Sequence, residues 1–214
     1  MSKISQDQIR TVISKALEER KKRKFVESID LQIMLRDYDP EKEKRFNSST
    51  ALNYPIKSKL NICLIGTMTH IDQSKELGID AVNLDDLKKF NNEAKLIKKW
   101  ARKYDLLMVS DTLSRNVTKL IGRYVTSIGK LPIPIGESEN VKNKVDELFR
   151  TVRFRVKKFP WLAQSVAVDT MSEEEIRQNL TKALNFLASL LPKGWQNIKS
   201  VHVKTTMGKA QRLV

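Results

Sequence analysis

The spacing of apolar residues predicts amphipathic helices and half-buried strands at both ends of the chain. Apolar side chains recur at helical spacing after Ser5, which forms a capping-box sequence with Gln8, so a first helix is expected here. Residues 28–35 alternate between apolar and polar with a period of two, which predicts a strand with one buried face. The same alternation returns in residues 151–157, and the run "WLAQSVAV" after it predicts another strand.

A second capping box and a final strand complete this pattern. Ser172 and Glu175 precede a long amphipathic helix that ends before Pro192. The last predicted strand places two valines on one face and four polar residues on the other: Ser200, His202, Lys204 and Thr206. Residues 36–55 predict a loop with a short strand near "STALNY".

The middle of the chain has a different pattern, in which apolar strands alternate with helices. The strands "LNICLIG", "AVN" and "LLMVS" are separated by helical segments, and a further helix begins at Asp111 or Thr112. Gly and Pro interrupt residues 127–138. Such alternation is typical of a small parallel α/β unit. The sequence therefore predicts an α/β protein with a split outer domain (1–58 plus 151–214) and an inserted inner domain (59–150).

The charge of the chain indicates a polyanionic partner. There are 40 Lys and Arg residues against 25 Asp and Glu, a net charge of +15. The predicted outer domain has 24 of these cations and 13 of the acids, so it holds +11 of the total. RNA, DNA and an anionic membrane are the candidate partners. No apolar stretch approaches the roughly 20 residues of a spanning helix, and the N-terminus has no secretory-signal core, so we expect a soluble intracellular protein without membrane contact.

The sequence does not indicate catalysis, a metal or a cofactor. The segment "LIGTMTHID" has no G-x-G-x-x-G or P-loop pattern. His70 and His202 are far apart and lack Cys or acidic neighbours at metal-ligand spacing. Neither a Ser-His-Asp order nor a G-x-S-x-G motif is present. The single cysteine, Cys63, lies in an apolar run, which favours a small buried hydrophobe in a reducing compartment.

Two segments are candidates for binding a polyanion. The strand "TVRFRVKKF" places Arg153, Arg155 and Lys157 on one face, and no acidic residue occurs from residue 150 to 168. A solvated sheet face is the alternative, but a face that carries only cations favours phosphates.

The second segment is "TTMGKA", at residues 205–210. Gly208 either adopts a positive φ in an ordinary turn or lets a ligand approach the backbone closely. In the second case the Thr205 and Thr206 hydroxyls can donate to phosphate or 2′-OH groups, and Met207 offers an apolar surface to a base or ribose. Cations flank the turn at Lys204 and Lys209.

Three segments together resemble one known family: "KRKFVESIDLQIML", "NICLIGTMTHIDQSKELGIDAVNLDDLKKFNNEAKLIKKWARKYDLLMVS" and "LLPKGWQNIKSVHVKTTMGKAQRL". In these segments, and over essentially its whole length, the chain resembles the large-subunit ribosomal protein family numbered one in the universal naming, whose eukaryotic members are called L-ten-a. The helix "LKKFNNEAKLIKKWARKY" and the approach "WQNIKS" resemble eukaryotic members.

The resemblance implies a split α+β domain that binds rRNA and an inserted, Rossmann-like, three-layer α/β domain. It also implies a structural, non-enzymatic role in the large subunit of cytoplasmic ribosomes, with other large-subunit components as neighbours and a monomer when free. The RNA partner would be the stalk helices beside the exit site, where deacylated tRNA departs. Matched position by position, the implied RNA surface is Lys24, Phe25, Glu27, Ser28, Ser200, Thr205, Thr206, Met207 and Gly208. Relatives commonly have Pro where this chain has Lys209.

Two other functions are compatible with parts of the sequence. A free translational repressor that binds an mRNA resembling the rRNA site would use the same residues, so the sequence does not separate it from a ribosomal role. A nucleotide-dependent enzyme built on the inner domain would need the phosphate-binding pattern that "LIGTMTHID" lacks.

Overall fold

The structure is a computed structural model that describes residues 4–21, 23–43, 46–56, 59–90 and 93–214. The chain forms two compact units, one of Met1–Lys57 with Leu148–Val214 and one of Ser58–Glu147. The predicted boundaries, after residues 58 and 150, lie one and three residues from these. The fold class is α/β, as predicted.

The helices are α1 (Gln6–Glu18), α2 (Met68–Glu76), α3 (Leu84–Lys88), α4 (Ala94–Arg102), α5 (Asp111–Val117), α6 (Arg123–Ile128), α7 (Val141–Arg150) and α8 (Glu173–Leu190). A π-helical turn, Thr118–Gly122, joins α5 to α6, and a 3₁₀ turn, Gly194–Asn197, follows α8. The strands are β1 (Ser28–Leu35), β2 (Asn47–Ala51), β3 (Ile62–Ile65), β4 (Asp80–Val82), β5 (Leu106–Ser110), β6 (Ile133–Ile135), β7 (Thr151–Arg155), β8 (Trp161–Val168), β9 (Ile198–Thr205) and β10 (Gln211–Arg212).

The split unit is built on an antiparallel sheet in the order β10-β9-β1-β8. One face of this sheet joins α1 and α8 in a single hydrophobic core. The strands β2 and β7 pair in a separate antiparallel ribbon, whose inward residues Val152, Phe154 and Val156 belong to the same core. The other face of the four-stranded sheet carries residues that are not fully buried, and we call it the open face: Asp30, Gln32, Met34, Ser200, His202 and Lys204.

A register shift explains why the apolar pattern of β8 is not a strict alternation. Ile29 pairs with Ala167 and Asp30 with Ser165, so Val166 is an extra residue on β8. Val166 and Ala167 are consecutive and both buried. A β-bulge permits this because it places two residues of one strand opposite one of its partner.

Both predicted capping boxes are present. The Ser5 hydroxyl accepts from the Gln8 amide at 3.2 Å, and the Gln8 side chain accepts in turn from the Ser5 amide. Ser172 and Glu175 make the same reciprocal pair at the start of α8. These side chains satisfy amides that the first helical turn leaves without partners.

The inserted unit contains a parallel sheet in the order β4-β3-β5-β6. Strand β3, one of its two inner strands, is buried along its full length, in keeping with the continuous apolar run that predicted it. Sequence reasoning missed β6 and α7. Strand β6 is short and contains Pro134, which an edge strand tolerates. Helix α7 does carry a helical signal, because Val141, Val145 and Leu148 share one face and are buried.

The single cysteine lies in β3 with its side chain fully buried. Burial raises the pKa of the Cys63 thiol to about 12, and the negative charge of Asp80 acts in the same direction. A hydrogen bond with Tyr104 opposes the shift without cancelling it. The thiol therefore remains protonated at physiological pH.

None of the helices in the described part of the chain has the length and apolar character that a membrane span requires.

We expect Cys63 to be unreactive in the folded protein. At pH 8, a thiol of pKa about 12 is ionised in only about one molecule in ten thousand. An aromatic disulfide reagent should therefore label less than a tenth of the native protein in an hour and label it stoichiometrically in 6 M guanidinium (an order-of-magnitude expectation). Rapid labelling of the native protein at pH 8 would contradict the buried position of this side chain.

Candidate nucleic-acid interface

The start of β1 and the end of β9 lie side by side in the central part of the four-stranded sheet. Ile29 pairs with Thr205 and Asp30 with Lys204. This pairing brings Glu27 and Ser28 next to Thr206 and Met207. We call the solvent-accessible residues of this junction the turn surface: Lys24, Phe25, Val26, Met207, Gly208 and Lys209.

Hydrogen bonds between Ser28 and Thr206 hold the junction together. The Ser28 amide donates to the Thr206 hydroxyl at 2.9 Å, and the Thr206 amide donates to the Ser28 carbonyl at 3.0 Å. The two hydroxyls are 3.0 Å apart, and the Ser28 hydroxyl donates to the Asp30 carboxylate at 2.8 Å. The Thr206 hydroxyl is thus engaged within the protein, where it fixes the course of the turn.

A buried carboxylate lies beneath the turn. Glu27 is 2% exposed, and its carboxylate accepts from the Met207 amide at 3.2 Å. The Arg23 guanidinium is 3.7 Å from the same oxygen, and the Glu27 carbonyl accepts from the Asp169 amide at 2.9 Å. Because a buried charge is costly without partners, these contacts tie the strand ends and the turn into one arrangement.

Three large apolar side chains are exposed above this framework. Phe25 is 51% exposed, Val26 60% and Met207 60%. Exposed cations, Lys24 and Lys209, accompany them. Sequence reasoning did not select Val26, although its place directly before a predicted strand is a usable signal. The result is an exposed apolar surface with two exposed lysines beside it in the chain, and such a surface can contact ribose and bases with phosphates nearby.

Gly208 does not adopt a positive φ, so that explanation of the turn is wrong. A Cβ built on Gly208 would instead overlap the hydroxyl of Thr205. The Gly208 amide donates to the Thr205 carbonyl at 3.2 Å, which closes the turn. The glycine is required because the turn packs directly on the Thr205 side chain.

Two of the predicted RNA contacts lie beneath the surface. Thr205 is fully buried, and its hydroxyl has no hydrogen-bond partner among the described residues. Glu27 is buried as well. Their side chains therefore support the turn surface instead of forming part of it.

The remaining predicted residues lie elsewhere in the split unit. Arg153 and Arg155 project from the exposed side of the β2–β7 ribbon, where the Arg153 side chain donates to Asn47 at 2.6 Å, and Lys157 is exposed just beyond β7. Ser200 lies five residues before Thr205 on β9, about 17 Å away at the usual rise of a strand. The structure thus does not gather these four residues at the turn.

The structure gives no support to a metal site in the part of the chain it describes, where no group of three or more His, Cys, Asp or Glu side chains has suitable geometry. His70 is buried, with its Nδ1 2.7 Å from the Ser110 hydroxyl. His202 lies on the open face of β9 in the split unit, whereas His70 belongs to the inserted unit.

Comparison with known proteins identifies the family. The model of the ribosomal protein L1p/L10e family matches residues 17–209. The chain belongs to this family. It is a ribosomal protein, located in the cytoplasm, and not an enzyme.

Relatives of similar length support this membership. The chain is 41% identical over 215 residues to each of two Schizosaccharomyces pombe proteins, named large ribosomal subunit protein uL1A and uL1B. It is 40% identical over 216 residues to large ribosomal subunit protein uL1 of Neurospora crassa. Each comparison covers the full length of both chains.

The contact between Gly208 and Thr205 can be measured by a double-mutant cycle. Gly208→Ala should lower the free energy of unfolding by about 1–3 kcal/mol, because its methyl group overlaps the Thr205 hydroxyl. In a Thr205→Ala background that hydroxyl is absent, so the same change should cost at least about 0.5 kcal/mol less. Urea denaturation of the four proteins gives the coupling. Additive effects would show that Gly208 is not constrained by Thr205.

Proposed function

We propose that this L1p/L10e-family protein is a structural constituent of the large ribosomal subunit and binds large-subunit rRNA through the turn surface. The resemblance noted above gives the finer form of the proposal. The RNA would be the stalk helices beside the exit site, and the inserted unit would meet departing tRNA. The names of the three relatives support the assignment to the large subunit.

The observation that carries the proposal is that Met207 is exposed on a backbone that the protein holds in place, with Phe25 exposed just before Glu27. The Glu27 carboxylate accepts a hydrogen bond from the Met207 amide, and the Ser28 amide donates to the Thr206 hydroxyl. The backbone beneath the exposed Met207 side chain is therefore held in place. A turn whose backbone is fixed before binding loses little backbone entropy on association. This favours recognition of a defined RNA shape.

The proposed contacts are of two kinds: packing against the RNA surface and neutralisation of its phosphates. Phe25 and Met207 would pack on ribose and base surfaces, and Gly208 would let the RNA backbone come close. Lys24, Lys204 and Lys209 would neutralise phosphates. The cations of the β2–β7 ribbon, Arg153, Arg155 and Lys157, would add phosphate contacts from a separate part of the split unit.

The charge contribution predicts a steep salt dependence. If roughly six or more phosphates are neutralised, affinity for a stalk rRNA fragment should fall by about a thousandfold between 50 and 200 mM salt. Lys24→Gln and Lys209→Gln should each lower the log–log slope by about one. Lys75→Gln is the control, because Lys75 is an exposed cation of the inserted unit. A slope near zero for the parent would contradict electrostatic binding.

The packing contacts of Phe25 and Met207 predict losses of rRNA affinity that do not depend on the salt concentration. Phe25→Ala or Met207→Ala should weaken rRNA binding by about tenfold or more at constant salt, with an unchanged slope, because each removes packing area and no charge. Met68→Ala is the matched control, since Met68 is 69% exposed in the inserted unit. Filter binding measures the affinities, and thermal unfolding of each variant tests the fold. Parental affinity in both variants would exclude the turn surface as the contact.

Sedimentation tests whether the protein assembles into the large ribosomal subunit. In a cell extract, the protein should be found with large subunits and remain there after a wash in low salt. A protein found mainly in light fractions bound to messenger RNA would instead be a translational repressor, which would use the same surface for another RNA.

A further inference from the structure

The strand β2 has one edge that no other strand covers in the described part of the chain, because β2 pairs with β7 alone. The Phe46 carbonyl accepts from the Val156 amide at 3.2 Å. The Leu52 amide donates to the Arg150 carbonyl at 2.8 Å, so the hydrogen bonds to β7 fall on even-numbered residues. Since antiparallel pairing alternates along a strand, the backbone groups of the odd-numbered residues point away from β7: Asn47, Ser49 and Ala51.

This edge lacks the features that usually protect a free strand. The sequence of β2, "NSSTA", contains neither a charged residue nor a proline, and its pairing with β7 has no bulge. An unprotected edge can accept a further strand, because its amides and carbonyls can form a new ladder of hydrogen bonds. The edge is therefore suited to binding a peptide in an extended conformation.

A groove runs beside this edge, between β2 and helix α8. Its cavity of about 470 Å³ is lined by residues of β2, of the segment after β2 and of three turns of α8. The Tyr54 amide donates to the Asn179 side chain at 3.1 Å. Phe154, which pairs with Ser48, has its ring centre 6.1 Å from that of Phe186. These contacts show that β2 and α8 run in opposite directions along the groove, so one face of an added strand would point into it.

The lining of the groove favours a peptide that carries both carboxylates and apolar side chains. It contains no Asp or Glu. The Lys182 ammonium donates to the Asn53 side-chain oxygen at 3.0 Å, and no carboxylate lies within ion-pair distance of it among the described residues. The half-buried ring of Phe186 lies one helical turn further along α8.

The spacing of these two groups matches the repeat of an extended strand. Residues one helical turn apart are separated by about 6 Å along the helix axis. Alternate residues of a strand, whose side chains share one face, are about 7 Å apart. A peptide carboxylate that pairs with Lys182 would thus place an apolar side chain, two residues away in the peptide, against Phe186.

We propose that the groove between β2 and α8 binds an extended acidic segment of a partner protein, which adds a third strand to the ribbon. The outward backbone groups of Asn47, Ser49 and Ala51 bond the segment, Lys182 pairs with a carboxylate, and Phe186 packs against an apolar side chain. None of the residues that line the groove belongs to the turn surface, so the proposal does not depend on the RNA bound there.

A labelled octapeptide tests the site in the full-length protein by fluorescence anisotropy. Glutamate and valine alternate on one face of this peptide, and threonine occupies the other. The parent should bind it saturably. Ser49→Pro should weaken binding about tenfold or more, because it removes an amide at the free edge and no bond to β7. Ser49→Ala is the matched control, since it keeps the amide and should stay within about threefold of the parent. Thermal unfolding of both variants tests the fold.

Two further comparisons separate backbone pairing from charge. Methylation of the peptide amides at the glutamates and valines, or instead at the threonines, blocks one edge of the peptide or the other, so only one of the two isomers should bind. Lys182→Glu should weaken binding about tenfold or more and should prefer a peptide with lysine in place of glutamate. Lys75→Glu, at an exposed cation of the inserted unit, should leave the affinity unchanged.

Four results would overturn the proposal. The first is a parent that does not bind the octapeptide saturably, and the second is equal affinity of the parent and Ser49→Pro or of the two methylated isomers. The third is displacement of the peptide by an octamer of uridine, which would make the groove an RNA site. The fourth is a parent that dimerises in sedimentation equilibrium while Ser49→Pro stays monomeric, which would make the occupant a second copy of this chain.

Discussion

The hydrogen bonds between Ser28 and Thr206 join segments from opposite ends of the chain, and the turn surface depends on them. Strand β1 is central in its sheet because β8 and β9 pair with its two sides. An inserted unit of about ninety residues separates β1 from these partners in the sequence. The contacts that build the surface therefore form only when the split unit closes. A nucleic acid that binds this surface therefore requires the whole split unit to be folded.

The buried Glu27 carboxylate shows how this junction combines charge with precise geometry. A carboxylate with 2% exposure needs partners, and the Met207 amide and the Arg23 guanidinium supply them. An apolar residue could fill the space, but it would not fix the direction of the Met207 amide. Gly208 adds a steric condition, since the turn lies directly on the Thr205 hydroxyl. Together these contacts explain why Met207 stays exposed at the surface instead of packing into the core.

Exposed apolar residues lie near both ends of β1, with Val26 before its first residue and Met34 next to its last. The net positive charge of the split unit acts over a longer range than these contacts and favours a polyanionic partner. The inserted unit, by contrast, has buried its apolar strands and lacks a phosphate-binding pattern.

The sequence by itself determined the elements whose signals are local. Period-two alternation identified β1, β7 and β9, and the capping boxes at Ser5 and Ser172 marked both amphipathic helices of the split unit. Net charge indicated a polyanionic partner, and the quoted segments indicated the family. Short edge elements such as β6 were missed because three residues with a proline carry too weak a pattern.

Only the tertiary structure decided which predicted residues meet. It buried Glu27 and Thr205, engaged the Thr206 hydroxyl with Ser28, and placed Arg153 and Arg155 on a separate ribbon. It also gave Gly208 a steric role in place of a positive φ, and it brought Met34 beside Trp161. The Gly208 contact with Thr205 is local to the turn, whereas strand pairing sets the other neighbours across more than a hundred residues of chain. Exposure and partnership of a side chain depend on those neighbours, and periodicity in the sequence carries no information about them.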